Sequence, residues 1–291
     1  MLTTQSRITL APAIAAAAQP SAPTELISPP IFVGGAGRSG TTLLRVILDS
    51  HSRIACGPEL KIIPSIAQMW AEFQTTFLPY LAESNVTEGD IDRAFRTFIV
   101  SLMAPLRHQS GKPRIAEKTP NNVFFFRHLH RMFPNASYVH MVRDGRDVVA
   151  SLLTMDWLGT DGQPMPYTKD ARLAARYWAN SIAVARQFAQ ATQGHSRYCE
   201  LRYETLIAHP EASLRALFDF LGEPWEPQVL AFHEQRHTLG FESNADAVTR
   251  PIYHTSVGRW QRELTAEQRA AVKEEAGQCL LELGYCDNLD W

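Results

Sequence analysis

Residues 34–42 combine glycines, an arginine and hydroxyl side chains at a spacing that can hold an anion. This segment, Gly-Gly-Ala-Gly-Arg-Ser-Gly-Thr-Thr, follows the apolar run Ile31-Phe-Val33 and precedes apolar residues at helical spacing. A strand, a glycine-rich loop and a helix start direct loop N–H groups and the helix N-terminus at one point, where an anion binds. A glycine-rich turn without a ligand is the alternative. The glycines, the arginine and Ser-Gly-Thr-Thr together favour the anion site.

The loop differs from the nucleoside triphosphatase pattern at one position. From Gly35 it reads G-x-x-x-x-G-T-T, so Thr41 stands where G-x-x-x-x-G-K-[ST] has the lysine that contacts the β- and γ-phosphates. Arg38 lies inside the loop instead. We therefore expect the loop to bind an anion other than the one that the nucleoside triphosphatase loop binds. A nucleotide phosphotransferase, which needs that lysine and a metal-holding acid, is the weaker alternative.

A second basic position follows the apolar run 136–142, which predicts a buried strand. Arg143 comes directly after that strand, and Ser151 lies two helical turns further along the next helix. In open α/β sheets, ligands bind beyond the carboxyl ends of the strands, so Arg143 is placed where a ligand would be. A structural ion pair is its alternative role. Asp144 is predicted to cap the helix, and Asp147 to complement its dipole.

Composition limits the classes of protein that this chain can be. It has 291 residues, 45% hydrophobic and 20% charged, with a formal net charge of −2, as in soluble globular enzymes and not nucleic-acid-binding proteins. No apolar run reaches the roughly 18 residues of a membrane span, and no His/Asp/Glu set predicts a metal site. The four cysteines show no C-x-x-C, which favours free thiols in a reducing, cytoplasmic compartment.

The order of predicted elements indicates an α/β fold. Short apolar strands alternate with helical patterns and no hairpin turn joins them, which is typical of a central, mostly parallel sheet flanked by helices. Residues 29–291 show no repeat and no clear linker, so we predict a single domain. Residues 1–28 are predicted to be a flexible tail, with a weak targeting segment as the alternative. A homodimer is compatible with this sequence.

At this point the sequence resembles the sulfotransferases that use 3′-phosphoadenosine 5′-phosphosulfate (PAPS), and among them the tyrosylprotein sulfotransferases. The resemblance runs in order from Ile31 to Tyr285 and implies a P-loop-like sulfotransferase fold. Besides 34–43 and 142–151, it is carried by five stretches, namely 54–64, 133–136, 203–210, 221–225 and 257–260.

By position, the resemblance implies a role for each matching residue. The loop would hold the 5′-phosphosulfate through Gly37, Arg38, Ser39, Gly40, Thr41 and Thr42. Arg143 and Ser151 would hold the 3′-phosphate, and Tyr203 and Arg250 would contact the nucleotide, whose product form is adenosine 3′,5′-bisphosphate. Glu59 falls on the family's catalytic carboxylate and Lys118 on its catalytic lysine.

These residue types suit in-line sulfuryl transfer. A carboxylate such as Glu59 can take the acceptor's proton, while Lys118 can stabilise negative charge on the leaving phosphate. Without the resemblance, Glu59 could be a first-turn helix carboxylate and Lys118 an exposed loop lysine. His51 and His140 are rival bases, although His140 alternates with apolar residues and is predicted to be packed in the core.

Departures from the tyrosylprotein pattern weaken the prediction of an acidic peptide acceptor. Lys61 and Ser65 stand where that family has arginines, so only Lys61 is expected to bind substrate acids. Cys56 keeps its position, but Ala116 occupies its disulfide partner's place, and no membrane anchor matches. The sequence thus predicts a soluble bacterial relative.

The predicted acceptor is a peptide or protein tyrosine. A small phenol, alcohol or carbohydrate is the alternative acceptor, and a scaffold that binds nucleotide without catalysis is the non-enzymatic alternative. Neither nucleic acid nor a membrane is an expected partner.

Overall fold

The computed structural model describes residues 28–159, 161–192, 197–238, 240, 248–253 and 255–291. The predicted tail lies outside these residues, except for Ser28. The described residues form five strands, Ile31–Gly34 (β1), Ile54–Cys56 (β2), Arg114–Lys118 (β3), Ser137–Val142 (β4) and Tyr198–Arg202 (β5). These strands form one sheet in the order β2-β3-β1-β4-β5, and every pairing is parallel. The predicted parallel α/β architecture is confirmed.

Helices cover both faces of this sheet. The α-helices are Thr41–Asp49 (α1), Ile63–Glu72 (α2), Leu78–Ala82 (α3), Glu88–Ser110 (α4), Phe126–Met132 (α5), Gly145–Leu152 (α6), Ala171–Ala191 (α7), Tyr203–Ala208 (α8), Pro210–Leu221 (α9), Trp260–Glu263 (α10) and Ala266–Glu282 (α11). A π-helical turn, Phe73–Phe77, joins α2 to α3, and 3-10 helices span Pro120–Phe125, Pro166–Thr168 and Pro227–Glu234.

The sheet is buried on both faces because its side chains alternate between two cores. In β1, Ile31 and Val33 pack in one cluster with α1 and α9, whereas Phe32 packs in another with α2, α4 and α5. All four residues of β1 are buried, as expected for the centre of a parallel sheet. Because β1 pairs parallel with both β3 and β4, the carboxyl ends of these three strands lie at the same edge of the sheet. The loops that follow them form the cleft.

The apolar residues of segment 59–83, with Pro64 near its start and Pro79 near its end, predict a helix over the whole segment, but the observed helix is different. Residues 57–62 are irregular, and α2 begins only at Ile63 with Pro64 in its first turn, a position that proline favours. Thr87 caps α4 through a reciprocal hydrogen-bond pair with Asp90. The irregular segment matters because it contains Glu59.

The cysteines agree with the prediction of free thiols. Cys56 of β2 lies directly opposite Ala116 of β3, so the predicted missing disulfide partner is its immediate neighbour in the sheet. All four cysteines are free. In the described part of the chain, no helix is long and apolar enough to cross a membrane, and no group of three His, Cys, Asp or Glu residues could hold a metal ion.

Candidate active site

A cleft of about 660 Å³ lies at the carboxyl edge of the sheet. It brings together most of the residues that the sequence singles out. Its lining includes Gly37, Arg38, Gly40, Thr41, Thr42, Glu59, Lys61, Arg143, Ser151, Tyr203 and Arg250. The two remaining predicted residues, Ser39 and Lys118, are buried, with 1% and 0% exposure.

The glycine-rich loop turns sharply into α1. Arg38 and Gly40 have φ angles of 75° and 93°, in the left-handed region. A Cβ atom at Gly40 would lie 2.5 Å from the Tyr203 ring, so this close approach requires glycine. No side chain caps α1, and its first turn contains no acidic residue. The helix N-terminus thus presents its N–H groups and positive dipole end to an anion.

Two buried donors beside this loop suit an anionic ligand. Within the described residues, Ser39 Oγ and Arg143 Nε are buried and have no hydrogen-bond partner. A buried donor without a partner costs about 1–3 kcal/mol, and more when it is charged. An anion with several acceptor oxygens would remove this cost, which fits the phosphates and sulfate of PAPS.

Arg38 joins the loop to the second predicted basic position. Its Nε donates to Ser151 Oγ at 2.9 Å, and Arg143 donates to the Arg38 carbonyl at 3.1 Å. Burial, followed by the nearby charges of Arg143 and Arg259, lowers the pKa of Arg38 to about 10. These three guanidinium groups concentrate positive charge in a chain whose net charge is −2.

Arg259 is a functional candidate that the sequence prediction missed. It lines the cleft and is held by Glu263, which accepts from its Nε at 2.8 Å. The signal was present, because Val257-Gly-Arg-Trp260 is one of the matching stretches, but no role was assigned to its arginine. Arg250, which was assigned, is exposed and also lines the cleft.

Asp147 does more than complement the dipole of α6. Its carboxylate accepts from the N–H groups of Gly258 and Trp260 at 2.8 and 3.0 Å, and it lies 3.7 Å from Arg143. Burial raises its pKa, partly offset by these hydrogen bonds and by Arg143. Asp147 thereby fixes residues 258–260 beside the cleft. Asp144 caps α6 as predicted, by accepting from the N–H of Arg146.

Tyr203 contacts both parts of the anion site. The Arg143 guanidinium stacks over its ring at 4.8 Å from the centroid. Its hydroxyl pairs with Ser256 Oγ at 2.8 Å, and Arg143 also donates to the Ser256 carbonyl. The predicted nucleotide-contacting tyrosine therefore supports the arginine that is predicted to bind phosphate.

Glu59 and Lys118 meet at the other end of the loop. Lys118 Nζ donates to Glu59 Oε1 at 2.5 Å and to Thr42 Oγ1 at 3.3 Å. The Lys118 side chain is fully buried, whereas that of Glu59 is 17% exposed and lines the cleft. Lys118 ends β3, so the exposed-loop alternative is wrong. Glu59 lies before α2 begins, so the first-turn alternative is also wrong.

The two rival bases are ruled out by their positions. His51 is 0% exposed, and its ring pairs with the Pro224 carbonyl and accepts from the Arg53 N–H. His140 is buried within β4 against Tyr198, and burial lowers its pKa to about 4. Neither histidine lines the cleft.

Glu117 and Thr119, which sequence reasoning did not select, hold the segment that carries Glu59. The buried Glu117 carboxyl accepts from the Leu60 N–H at 3.3 Å and the Thr119 hydroxyl at 2.7 Å. Thr119 Oγ1 in turn accepts from the N–H of Lys61, whose φ is 56°. The irregular segment is thus fastened to β3 on both sides of Lys118. Lys61 itself is exposed in the cleft.

Known proteins are similar to this chain in sequence. The model of the sulfotransferase family matches residues 29–227. The chain is 31% identical over 268 residues to protein-tyrosine sulfotransferase A of Caenorhabditis elegans, covering 90% of this chain and 68% of the worm protein. It is 33% identical to protein-tyrosine sulfotransferase 2 of Gallus gallus, covering 80% of this chain and 63% of the chicken protein.

Solved structures support the same fold. The sulfotransferase domain of the Synechococcus PCC 7002 olefin synthase has a TM-score of 0.62 at 23% identity, covering 90% of this chain and 98% of that one. A mouse sulfotransferase complexed with PAP has a TM-score of 0.53 at 15% identity, covering 88% of each chain. Because a parallel sheet of this topology, the glycine-rich loop and a family match over most of the chain coincide, this protein belongs to the sulfotransferase family.

Proposed function

We propose that this enzyme transfers the sulfuryl group of PAPS to the phenol of a tyrosine in a peptide or protein. The observation that carries the proposal is the cluster of Glu59, Lys118 and Thr42 at the uncapped N-terminus of α1. It puts a carboxylate and an ammonium beside one anion site. The worm and chicken relatives, both named protein-tyrosine sulfotransferases, support the choice of acceptor.

The donor would lie along the loop and the arginine cluster. Loop N–H groups and the α1 N-terminus suit its 5′-phosphosulfate, while Arg143, Ser151 and Arg259 suit its 3′-phosphate. Tyr203 offers a ring face and Arg250 a further charge. Bound PAPS supplies an activated sulfuryl group, which the acceptor oxygen takes as the bond between sulfur and the phosphate oxygen breaks.

Each of the two central side chains has one task. Glu59 accepts the phenol proton as the new oxygen–sulfur bond forms, since a neutral phenol with a pKa of about 10 is a weak nucleophile. Lys118 supplies positive charge to the oxygen of the departing phosphate. Lys118 bridges Glu59 and Thr42, so it links the base to the residues that hold the donor.

Lys61 is proposed to meet acidic residues next to the target tyrosine. It is exposed at the cleft and carries one charge, without the bidentate geometry of arginine. We therefore expect a weak preference for acidic peptides. The four free cysteines support the further proposal that the protein works in a reducing compartment such as the cytoplasm.

A mass-spectrometric transfer assay tests the proposal. The protein is incubated with PAPS and, in parallel, tyrosine peptides, matched serine peptides, a small phenol and a sugar. We expect a mass gain of one sulfuryl group on the tyrosine peptides. Transfer confined to the phenol or the sugar would replace the peptide acceptor, and failure to bind adenosine 3′,5′-bisphosphate in calorimetry would reject the donor.

A further inference from the structure

A short hairpin borders the cleft. It comprises residues 157–159 and 161–165, between α6 and α7. The Met165 N–H donates to the Trp157 carbonyl at 2.8 Å, and Leu158 forms an antiparallel bridge with Pro164. Trp157, Leu158 and Met165 all line the cleft. The hairpin therefore fixes an apolar wall beside the site.

Two tyrosines extend this wall. The rings of Tyr167 and Tyr177 stack with centroids 4.4 Å apart and an angle of 6° between their planes. Both rings are half-buried, and both line the cleft together with Trp157. The indole of Trp157 lies against Gly37, where a Cβ atom would be 3.0 Å from the ring. Trp157 and Tyr177 thus contact the anion loop, and Tyr167 extends the wall by stacking on Tyr177.

Tyr177 fixes the wall at the reacting end of the cleft. Its hydroxyl accepts from the Gly37 N–H at 3.0 Å and donates to Asn121 Oδ1 at 2.8 Å. Gly37 precedes the arginine of the anion loop, and Asn121 follows Lys118 by three residues. Burial raises the pKa of Tyr177, and the negative charge of Glu59 adds to that rise. The wall is therefore close to the base and to the anion loop together.

From this geometry we propose that Trp157, Tyr167 and Tyr177 bind the aromatic ring of the acceptor and select phenols over aliphatic hydroxyls. The inference rests on the proposed function and adds the residues that determine the acceptor. Ring faces and edges attract another ring in stacked or edge-to-face arrangements. A phenol whose ring packs on this wall would direct its hydroxyl toward Glu59.

The two tyrosine hydroxyls of the wall favour an aromatic ring over a sugar as the group that it binds. The Tyr167 hydroxyl donates to Met165 Sδ at 2.9 Å, and that of Tyr177 is used by Gly37 and Asn121. A carbohydrate needs several hydrogen-bond partners, and leaving its hydroxyl groups unpaired is costly. Since the wall's tyrosine hydroxyls already have partners, the surface it offers is that of the rings.

Saturation-transfer NMR tests the proposal through binding alone. The protein is saturated with adenosine 3′,5′-bisphosphate and titrated with N-acetyl-tyrosinamide or N-acetyl-serinamide. We expect the tyrosine compound to bind, and the serine compound to bind at least tenfold more weakly. Trp157→Leu and Tyr167→Leu should each weaken binding of the tyrosine compound about tenfold, the scale of one lost aromatic contact.

The controls separate the wall from the loop and from the reaction. Trp225→Leu replaces a tryptophan that packs on Phe218 outside the cleft, and should leave binding unchanged. Tyr167 is not among the side chains nearest to Gly37, so its variant tests the wall if Trp157→Leu disturbs nucleotide binding. Equal binding of both compounds, or unchanged binding in both variants, would overturn the proposal. Selective phenol binding without sulfuryl transfer would support the wall and reject the proposed function.

Discussion

The two halves of the cleft are held in place by different means. The donor half comprises residues 37–42, 143–151, 203 and 256–260, which are mostly the ends of strands and helices. The acceptor half comprises residues 59–61, 119–121, 157–159, 161–167 and 177, which are mostly irregular and depend on side chains such as Glu117 and Tyr177. We infer that donor binding follows from the fold itself, whereas acceptor binding depends on a few replaceable contacts.

The sharpest test of this division is Glu59→Gln. The amide keeps the shape of the side chain but cannot take a proton, so kcat should fall by about 10²- to 10⁴-fold. Binding of adenosine 3′,5′-bisphosphate, measured by calorimetry, should stay unchanged because Glu59 lies in the acceptor half. Glu83→Gln on an exposed surface is the matched control. Near-normal turnover of Glu59→Gln would remove it as the base.

Lys118→Met should show the next largest effect. Loss of the ammonium removes the charge that faces the leaving phosphate, and single-turnover rates should fall on the order of 10²- to 10³-fold. Lys118 contacts both Glu59 and Thr42, so a modest loss of nucleotide affinity should accompany the slower rate. Lys273→Met on α11 serves as the control. A loss of affinity with no loss of rate would make Lys118 a binding residue only.

Arg143→Ala tests the donor half directly. One charge-assisted hydrogen bond is worth about 1.5–3 kcal/mol, so the dissociation constant for adenosine 3′,5′-bisphosphate should rise about ten- to hundredfold. Arg143→Lys keeps the charge, so its dissociation constant should lie between those of the unmutated protein and Arg143→Ala. Arg176 is an exposed residue of α7 that pairs with Glu275 of α11. The variant Arg176→Ala should bind adenosine 3′,5′-bisphosphate normally. Unchanged affinity in Arg143→Ala would show that the arginine is structural.

Glu117→Gln tests the burial of the carboxyl that holds the main chain next to Glu59. Burial raises the pKa of Glu117 above its ordinary value of 4.5. The folded state thus holds this proton more tightly than the unfolded chain, and the resulting stability is complete below pH 4.5 and is lost as the pH rises toward the folded-state pKa. In urea unfolding at several pH values, the free energy of unfolding of the variant should fall less than that of the unmutated protein as the pH rises above 4.5. An identical pH dependence in both proteins would contradict the role of burial.

Lys61→Arg should have the smallest effect. A guanidinium pairs with a carboxylate through two hydrogen bonds, but exposed ion pairs contribute only about 0.2–1 kcal/mol. The ratio of kcat/KM for acidic over neutral tyrosine peptides should rise about two- to fivefold. Ratios measured at low and high salt provide the control, since screening should remove the gain. A gain that persists at high salt would point to another cause.

The donor half could be predicted from the sequence because its residues are neighbours along the chain. Gly37 to Thr42 span one loop and the first turn of α1, and Arg143 and Ser151 follow one strand, so a contiguous pattern carries most of the geometry. The parallel sheet was predictable for the same reason, since β1, β2 and β4 are short, mostly apolar runs. Arg259 was missed because its proximity to Arg38 arises only when Asp147 fixes residues 258–260.

The acceptor half was predicted only in part. Glu59 and Lys118 came from the family resemblance, and the residues alone left their roles open. Glu117, Thr119, Trp157 and Tyr177 gave no pattern, because their contacts join segments far apart along the chain. Helix boundaries near Glu59 were also wrong, since a buried carboxyl binds the main chain of residue 60 where periodicity predicts a helix.

Gly37 limits how freely this enzyme can be redesigned. Its N–H donates to the Tyr177 hydroxyl and its α-carbon lies against the indole of Trp157, while the next residue is the arginine of the anion loop. A hairpin grafted from another enzyme in place of residues 157–165 would leave Gly37 without one of these supports. Engineering of the acceptor specificity should therefore exchange the hairpin and the first half of α7 together, while Gly37, which contacts both, is kept.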